Sequence, residues 1–249
     1  VSAGAREVLV TGGGRGLGRA IALRFAAEGA RVFLGCFVRR ADAEKTAAEV
    51  EARGGQAVVV QADLKAPEQV RGLFAEVRRV AGRLDVFVSS AASGVFRDVL
   101  ALSARQWDWV MATNVRATLL AAQEAAALMG PGGAIVTVSS LGSTRVLAGY
   151  GAVGVSKAAL EALTRYLAVE LAPRGIAVNA VSAGALETEV WQALPQGERL
   201  LAAARARTPG GRLVSLEAVA DVVAFLASPA ARGLQGQVLV VDGGYSLLA

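Results

Sequence analysis

The sequence predicts an α/β fold, a Rossmann-like doubly wound parallel sheet of about seven strands with helices on both faces. Three observations lead there. Short apolar or β-branched runs alternate with longer segments of helical periodicity. Several runs are continuously apolar, as strands covered on both faces must be. A glycine-rich turn follows the first run and opens the first helix.

Taken in order, the strand runs are EVLVT at 7–11, RVFLGC at 31–36, QAVVVQ at 56–61, LDVFVS at 84–89, GAIVTVS at 133–139, IAVNAVS at 176–182 and QVLVVD at 237–242. Each is short, and the intervals between them are long enough for a crossover helix. The alternation loosens at 183–212, where two short helical pieces rich in Glu, Leu and Arg are expected to form a lid beside a substrate cleft. No linker or internal repeat interrupts the pattern, so 1–249 reads as one domain. A chain of 249 residues with 54% hydrophobic content can bury one large core.

Composition narrows the chemistry. The absence of histidine excludes a His-based metal site and a Ser-His-Asp triad, and no other metal site is expected. Acid-base work falls to Tyr, Lys, Asp, Glu or Ser. The single cysteine, Cys36, forms no internal disulfide, as in a reducing compartment. No apolar run is long enough for a signal h-region or a membrane span, so a cytoplasmic protein is expected. The net charge of +5 is scattered arginine without the clustering of a nucleic-acid surface. Most of it reads as solvated helix faces, with a mild bias toward anionic ligands.

The turn Thr11-Gly12-Gly13-Gly14-Arg15-Gly16-Leu17-Gly18 lies between the first strand and the helix RAIALRFAAEG. Glycines permit a tight turn and close backbone approach to a pyrophosphate, which the N–H groups and dipole of the helix start then stabilise. Strand before and helix after is the context a dinucleotide site demands. The second strand ends near Gly35 and Cys36 without the acid that accepts from a ribose 2′-OH. Arg15, Arg39 and Arg40 instead suit a 2′-phosphate, which favours NADPH over NADH. The plainer reading of Arg39 and Arg40 is exposed loop charge. Asp63 after the third strand is placed either to accept from an adenine amino group or to cap the next helix.

Further along stand Asp63-Leu64, Asn114 in a mid-chain helix, Ser139-Ser140 after the fifth strand, Tyr150 and Lys157, and Asp242-Gly243-Gly244. Together with TGGGRGLG at 11–18 they resemble the short-chain dehydrogenase/reductase superfamily over essentially the whole chain. That resemblance implies hydride transfer from a nicotinamide, a tyrosine as proton donor, and a lysine that lowers the phenol pKa and holds the nicotinamide ribose. A phenol must be pulled down from about 10 by a nearby cation to act near neutrality.

The common superfamily spacing is Tyr-x3-Lys, and counting back from Lys157 reaches Val153, which has no proton to give. Tyr150 gives Tyr-x6-Lys, the spacing of the enoyl-acyl-carrier-protein reductases. A ketoreductase delivers hydride to the carbonyl carbon, so its acid touches the adjacent oxygen. Enoyl thioester reduction delivers hydride to the β-carbon and puts charge on the more distant thioester oxygen. A displaced acid fits the second case.

The stretch 139–188, AASGV at 91–95 and WDW at 107–109 resemble the type III, NADPH-dependent branch of those reductases, which act in fatty-acid synthesis. The resemblance implies Tyr150 as proton donor or enolate stabiliser, Lys157 as partner of ribose and tyrosine, and Ser140 lining the substrate pocket. It also implies cofactor contacts from Gly12, Arg15, Gly16, Leu17, Gly18, Arg39, Arg40, Asp63, Leu64, Ser90, Ala91, Asn114, Lys157, Gly184, Leu186 and Thr188. Ser89 and Ser90 depart from the usual Asn-Asn of that loop. A homotetramer is implied, with helices near 105–129 and 152–172 at its contacts.

The chain has three lysines, Lys45, Lys65 and Lys157, against 23 arginines, so a lysine kept at the centre of the pattern suggests a need for a compact ammonium. Tyr166 and Tyr245 lack a partner at the right spacing and read as packing residues, and Ser139 as structural. Val190, Trp191, Leu194, Leu200 and Leu201 form an apolar set that either encloses an acyl chain or packs a helix on the core. Arg199, Arg205, Arg207 and Arg212 around it suit an acidic acyl carrier protein bearing the thioester. Two other functions remain open: a carbonyl or 3-oxoacyl reductase or alcohol dehydrogenase using Tyr150, and a nucleotide-binding protein without catalysis.

Overall fold

A computed structural model describes residues 5–188 and 197–248. Seven parallel strands form one sheet in the order β3-β2-β1-β4-β5-β6-β7. They are β1 (Glu7–Thr11), β2 (Arg31–Cys36), β3 (Gln56–Gln61), β4 (Val86–Ser89), β5 (Ala134–Ser140), β6 (Ala177–Ala183) and β7 (Val238–Val241). The apolar runs in the sequence correspond to these strands within about two residues at each end, the usual scatter of element boundaries.

Alternation along each strand divides the core. Val8 and Val10 point to one face, with Val32, Leu34, Val86, Val88, Val136 and Val181. Helices α1 (Gly16–Ala26) and α8 (Leu216–Leu226) cover that face through Ile21, Phe25, Val219 and Val223. Leu9, Phe33, Phe87, Ile135 and Val178 point the other way, onto α3 (Pro67–Ala81), α5 (Ala117–Leu128) and α6 (Gly151–Leu171). There the Phe74 and Phe87 rings meet edge to face with centroids 5.7 Å apart. Both faces are therefore dry, which is why the strands carry no hydrophobic-polar alternation.

Helix α2 (Arg40–Ala52) lies beside the glycine turn and is tied to it by Thr46, whose hydroxyl donates to the Gly14 carbonyl at 3.1 Å. Helix α4 (Ala104–Met111) opens on a capping box between Ser103 and Gln106. It runs through a π-helical segment, Ala112–Arg116, into α5. One helix, α7 (Gly197–Arg207), is described within the expected lid; residues 189–196, which include Val190, Trp191 and Leu194, lie outside the described residues. No helix among the described residues is long and apolar enough to cross a membrane.

Strand order reverses between β1 and β4, and the carboxyl ends of the strands at such a reversal are the place where open α/β sheets bind ligands. Thr11 stitches the two strands together at this point. Its hydroxyl donates to the Val88 carbonyl at 3.3 Å and accepts from the Ser90 and Ala91 N–H groups at 3.2 and 3.3 Å.

Candidate active site

The glycine turn is shaped by close approach. A Cβ on Gly18 would stand 2.1 Å from the Gly12 carbonyl oxygen, so only glycine lets the helix start so near the end of β1. Helix α1 begins with no side-chain cap and no acid in its first turn, which leaves its N-terminal N–H groups to an anion. Across from it, among the described residues, Thr188 is what a Cβ on Gly16 would meet, at 4.0 Å. The glycine turn and the segment after β6 thus come together at the start of α1. Arg15 is exposed beside it, and Leu17 and Leu186 pack against the core from either side. Gly184 sits tightly against Asp242, with its N–H on the Val241 carbonyl at 3.0 Å.

The end of β2 itself carries no acid beside Cys36, whose charged neighbours are Arg40 and Glu44 of α2, and Arg39 and Arg40 begin that helix. Arg40 bonds Glu44 at 2.8 Å and Arg39 lies 3.6 Å from Asp42. Both pairs are largely exposed, the kind that holds a side chain weakly and gives way to a doubly charged phosphate. Asp63 does not cap α3, whose N-cap is Ala66. It accepts from the Lys65 N–H at 3.0 Å in an Asx turn and pairs with the Lys65 ammonium at 3.2 Å. Leu64 packs on the core beneath it.

The loop after β4 shows what the two serines do. Ser89 points inward, its hydroxyl 2.8 Å from that of Thr118, which donates to the Asn114 carbonyl at 2.9 Å. Ser90 and Ala91 spend their N–H groups on the Thr11 hydroxyl. Asn114, buried in the π segment, accepts from the Ser93 N–H at 2.8 Å and donates to the Ser93 carbonyl and the Ser156 hydroxyl at 3.0 and 2.9 Å. It clamps the 90–94 loop to α6.

Tyr150 is the N-cap of α6, and its hydroxyl lies 3.3 Å from the Ser140 hydroxyl at the end of β5. Its ring lies flat over Gly142, where a Cβ would stand 2.5 Å from the ring, so that position needs glycine. On its other side is Phe96, with centroids 5.9 Å apart. Burial pushes the phenol pKa above its usual 10.0, against the opposing hydrogen bond from Ser140, so the proton stays on the oxygen. Val153 is buried, its methyl 2.8 Å from where a Cβ on Gly94 would be, and fills the space between α6 and the loop.

Lys157 lies on the buried side of α6 and donates to the Val138 carbonyl at 2.7 Å. Burial pulls its pKa down to about 8, with Glu161 opposing. Its ammonium has three donors, and among the described residues one is spent on protein.

A family described as "Enoyl-(Acyl carrier protein) reductase" matches residues 12–246. The chain belongs to the short-chain dehydrogenases/reductases. A 1-cyclohexenylcarbonyl-CoA reductase of Streptomyces collinus is 43% identical over 97% of this chain and 87% of its own. NADPH-dependent aldehyde reductase 2 of Arabidopsis thaliana is 35% identical over 96% of this chain and 93% of its own. A short-chain dehydrogenase of Burkholderia cenocepacia, solved in complex with NADP, superposes with a TM-score of 0.89 at 38% identity, covering 97% of this chain and 98% of that one. A dehydrogenase/reductase of Sinorhizobium meliloti gives 0.92 at 36%, covering 98% and 96%. The chain is thus an NAD(P)-dependent oxidoreductase of the short-chain dehydrogenase/reductase family.

Several side chains that organise this short-chain dehydrogenase/reductase site were not singled out from sequence: Phe96, Thr118, Ser156 and Glu161. Their partners lie on other elements, so no local spacing announces them, except that Glu161 sits four residues from Lys157 on one helix. Tyr166, expected to pack, is 71% exposed on α6. Its ring falls on the face of α6 turned away from the sheet, as the buried set Leu160, Thr164, Leu167 and Ala168 shows. Tyr245 lies beneath the Arg207 guanidinium, 5.1 Å from its ring centre.

Proposed function

We propose that this short-chain dehydrogenase/reductase reduces the C2–C3 double bond of an enoyl thioester with NADPH. The observation that carries this is the displacement of the acid: Tyr150 reaches Ser140 from the N-cap of α6, while the position four residues before Lys157, where the acid of a Tyr-x3-Lys pair would stand, is the buried, apolar Val153. The 43% identical 1-cyclohexenylcarbonyl-CoA reductase supports the same substrate class.

The nicotinamide dinucleotide, when bound, supplies hydride to the β-carbon. The turn Gly12–Gly18 and the start of α1 would hold its pyrophosphate, Arg15, Arg39 and Arg40 its 2′-phosphate, and Gly184, Leu186, Thr188 and Lys157 its nicotinamide end. As charge builds on the thioester oxygen, Tyr150 donates its proton there, with Ser140 orienting the hydroxyl, and the enol so formed becomes the saturated thioester when C2 takes a proton from solvent and the oxygen returns its own. Lys157, on the same helix, is the cation we assign to stabilising the phenolate that remains. Phe96 and Leu147, both partly exposed near Tyr150, give the acyl group an apolar wall.

The lid arginines are engaged to different degrees. Arg205 pairs with Glu187 and Arg207 donates to the Leu248 carbonyl at 2.6 Å, and both are exposed, as are Arg199 and Arg212. An acyl carrier protein is the thioester carrier we propose for this face, with the enzyme working as a homotetramer.

The test compares NADPH oxidation with a trans-2-enoyl thioester and with a 3-oxoacyl thioester, each on CoA and on carrier protein. Faster turnover of the enoyl substrate is expected, with the lower KM on carrier protein. Reduction of the 3-oxo substrate alone would mean that Tyr150 serves a carbonyl directly, as in the aldehyde reductase relative, and would end the enoyl proposal.

A further inference from the structure

Glu161 is a buried acid that the reaction above does not use. It lies one turn beyond Lys157 on α6, and both side chains are almost wholly enclosed, at 8% and 6% exposure. The Ser139 hydroxyl on β5 donates to the Glu161 carboxylate at 2.5 Å, and the neighbouring Val138 carbonyl accepts from Lys157 at 2.7 Å. Two consecutive residues of one strand therefore grip an acid and a base spaced i, i+4 on the helix packed against it. A carboxylate buried this deeply needs a compensating charge or donor, and a buried ammonium needs the same.

We propose that Glu161 is a positioning residue, held by Ser139 so that its carboxylate keeps Lys157 in the ammonium form against the Val138 carbonyl. This rests on the role proposed above for Tyr150, because only a charged Lys157 lowers the cost of leaving the tyrosine as phenolate.

The surroundings single out this acid. On α6 the titratable neighbour that acts on Lys157 is Glu161. The strands β5 and β6 and the turn 141–143 beneath it carry no charged side chain. On the other elements packed against α6, Arg105 and Asp108 are exposed, Glu124 is half-buried on α5, Arg116 donates to the Lys65 carbonyl, and Arg174 turns to the Ala126 carbonyl. Glu161 is the one charge among the described residues that acts on the Lys157 ammonium, and it acts to hold the proton against burial. Its removal lets burial win, so Lys157 gives up its proton at lower pH.

Three lysines make this directly measurable, since protein labelled with 13C at the lysine ε-carbon gives three side-chain signals, and Lys157→Arg assigns the one of interest. Glu161→Gln keeps the shape and the bond to Ser139 while removing the charge. The Lys157 signal should then titrate about one pH unit lower than in wild type, a tenfold change in proton affinity. The alkaline limb of kcat/KM should move the same way, with the rate near neutrality changing far less. Ser139→Ala should give a smaller shift in the same direction, and Glu161→Asp should restore part of it. An unchanged Lys157 midpoint in folded Glu161→Gln overturns the proposal whichever substrate the wild type reduces. A loss of kcat uniform across pH overturns it too. A shifted midpoint in a protein that reduces only 3-oxo thioesters would leave the Glu161 role standing and remove the enoyl substrate alone.

Discussion

Replacing Tyr150 by Phe removes one hydroxyl and little else. The ring keeps its place over Gly142 and beside Phe96, and Ser140 keeps the Gly142 N–H as a partner at 3.0 Å. The lost hydrogen bond to Ser140 is long, 3.3 Å, so the stability cost falls at the low end of about 0.5–1.5 kcal/mol. In a domain of this size that lowers Tm by no more than about 4 °C. Catalysis loses far more. A positioned general acid contributes about 10²- to 10⁴-fold, equivalent to about 3–5 kcal/mol of barrier. Steady-state NADPH oxidation with an enoyl thioester, alongside a thermal melt, should show the two effects separated: kcat down at least a hundredfold, KM for NADPH nearly unchanged, Tm almost intact. A variant that keeps more than about a tenth of the wild-type kcat would refute Tyr150 as the acid, since no removal of a general acid is so mild. Val153→Tyr in the same background tests the commoner spacing. It should not rescue, because Val153 already fills the space against Gly94.

Three further outcomes are expected. Neutralising Arg15, Arg39 and Arg40 together should raise KM for NADPH at least tenfold while leaving NADH nearly unaffected, because charge-assisted bonds to a 2′-phosphate are worth about 1.5–3 kcal/mol each; equal losses for both cofactors would remove these residues from phosphate recognition. Gly18→Ala should weaken NADPH binding, measured by nucleotide fluorescence, more than tenfold, since its Cβ must push the Gly12 carbonyl out of the turn. Glu7 is buried beneath Arg31, and burial raises its carboxyl above the usual 4.5 against the pull of Arg31 and Arg83. The folded state then holds this proton more tightly than the unfolded one, so wild type loses stability as pH rises through the folded value and Glu7→Gln does not. The Tm difference, variant minus wild type, should grow with pH above 4.5; a difference that shrinks would reverse the assignment.

The strands were legible because a sheet buried on both faces writes itself as unbroken apolar runs, and the glycine turn because close backbone approach permits so few residues. Tyr150 and Lys157 were legible as a spacing on one helix. What escaped was everything that depends on partners from separate elements. Ser89 looked like a weakened cofactor contact, yet it meets Thr118 from a helix 29 residues away. Ser139 looked merely structural until Glu161 was placed beside it. Asp63 looked able to cap a helix, but Pro67 starts α3 too late for that. The lid offered weak periodicity, and α7 is the part of it that can be compared with the expectation.

The π segment at 112–116 has a consequence for how much change the helix can absorb. A π turn is one residue more than an α-helix requires. The wider turn takes up that residue where it stands, so the helix after it keeps the phase it would have without it. Deleting Thr113 should close the turn to regular α-helix and leave the alanine face of α5, Ala117, Ala121, Ala122 and Ala125, on the sheet. Deleting Asn114 instead removes the side chain that holds Ser93 and Ser156. The surplus residue therefore confines a change of length to one turn, and the harm done by a deletion there depends on which side chain is lost.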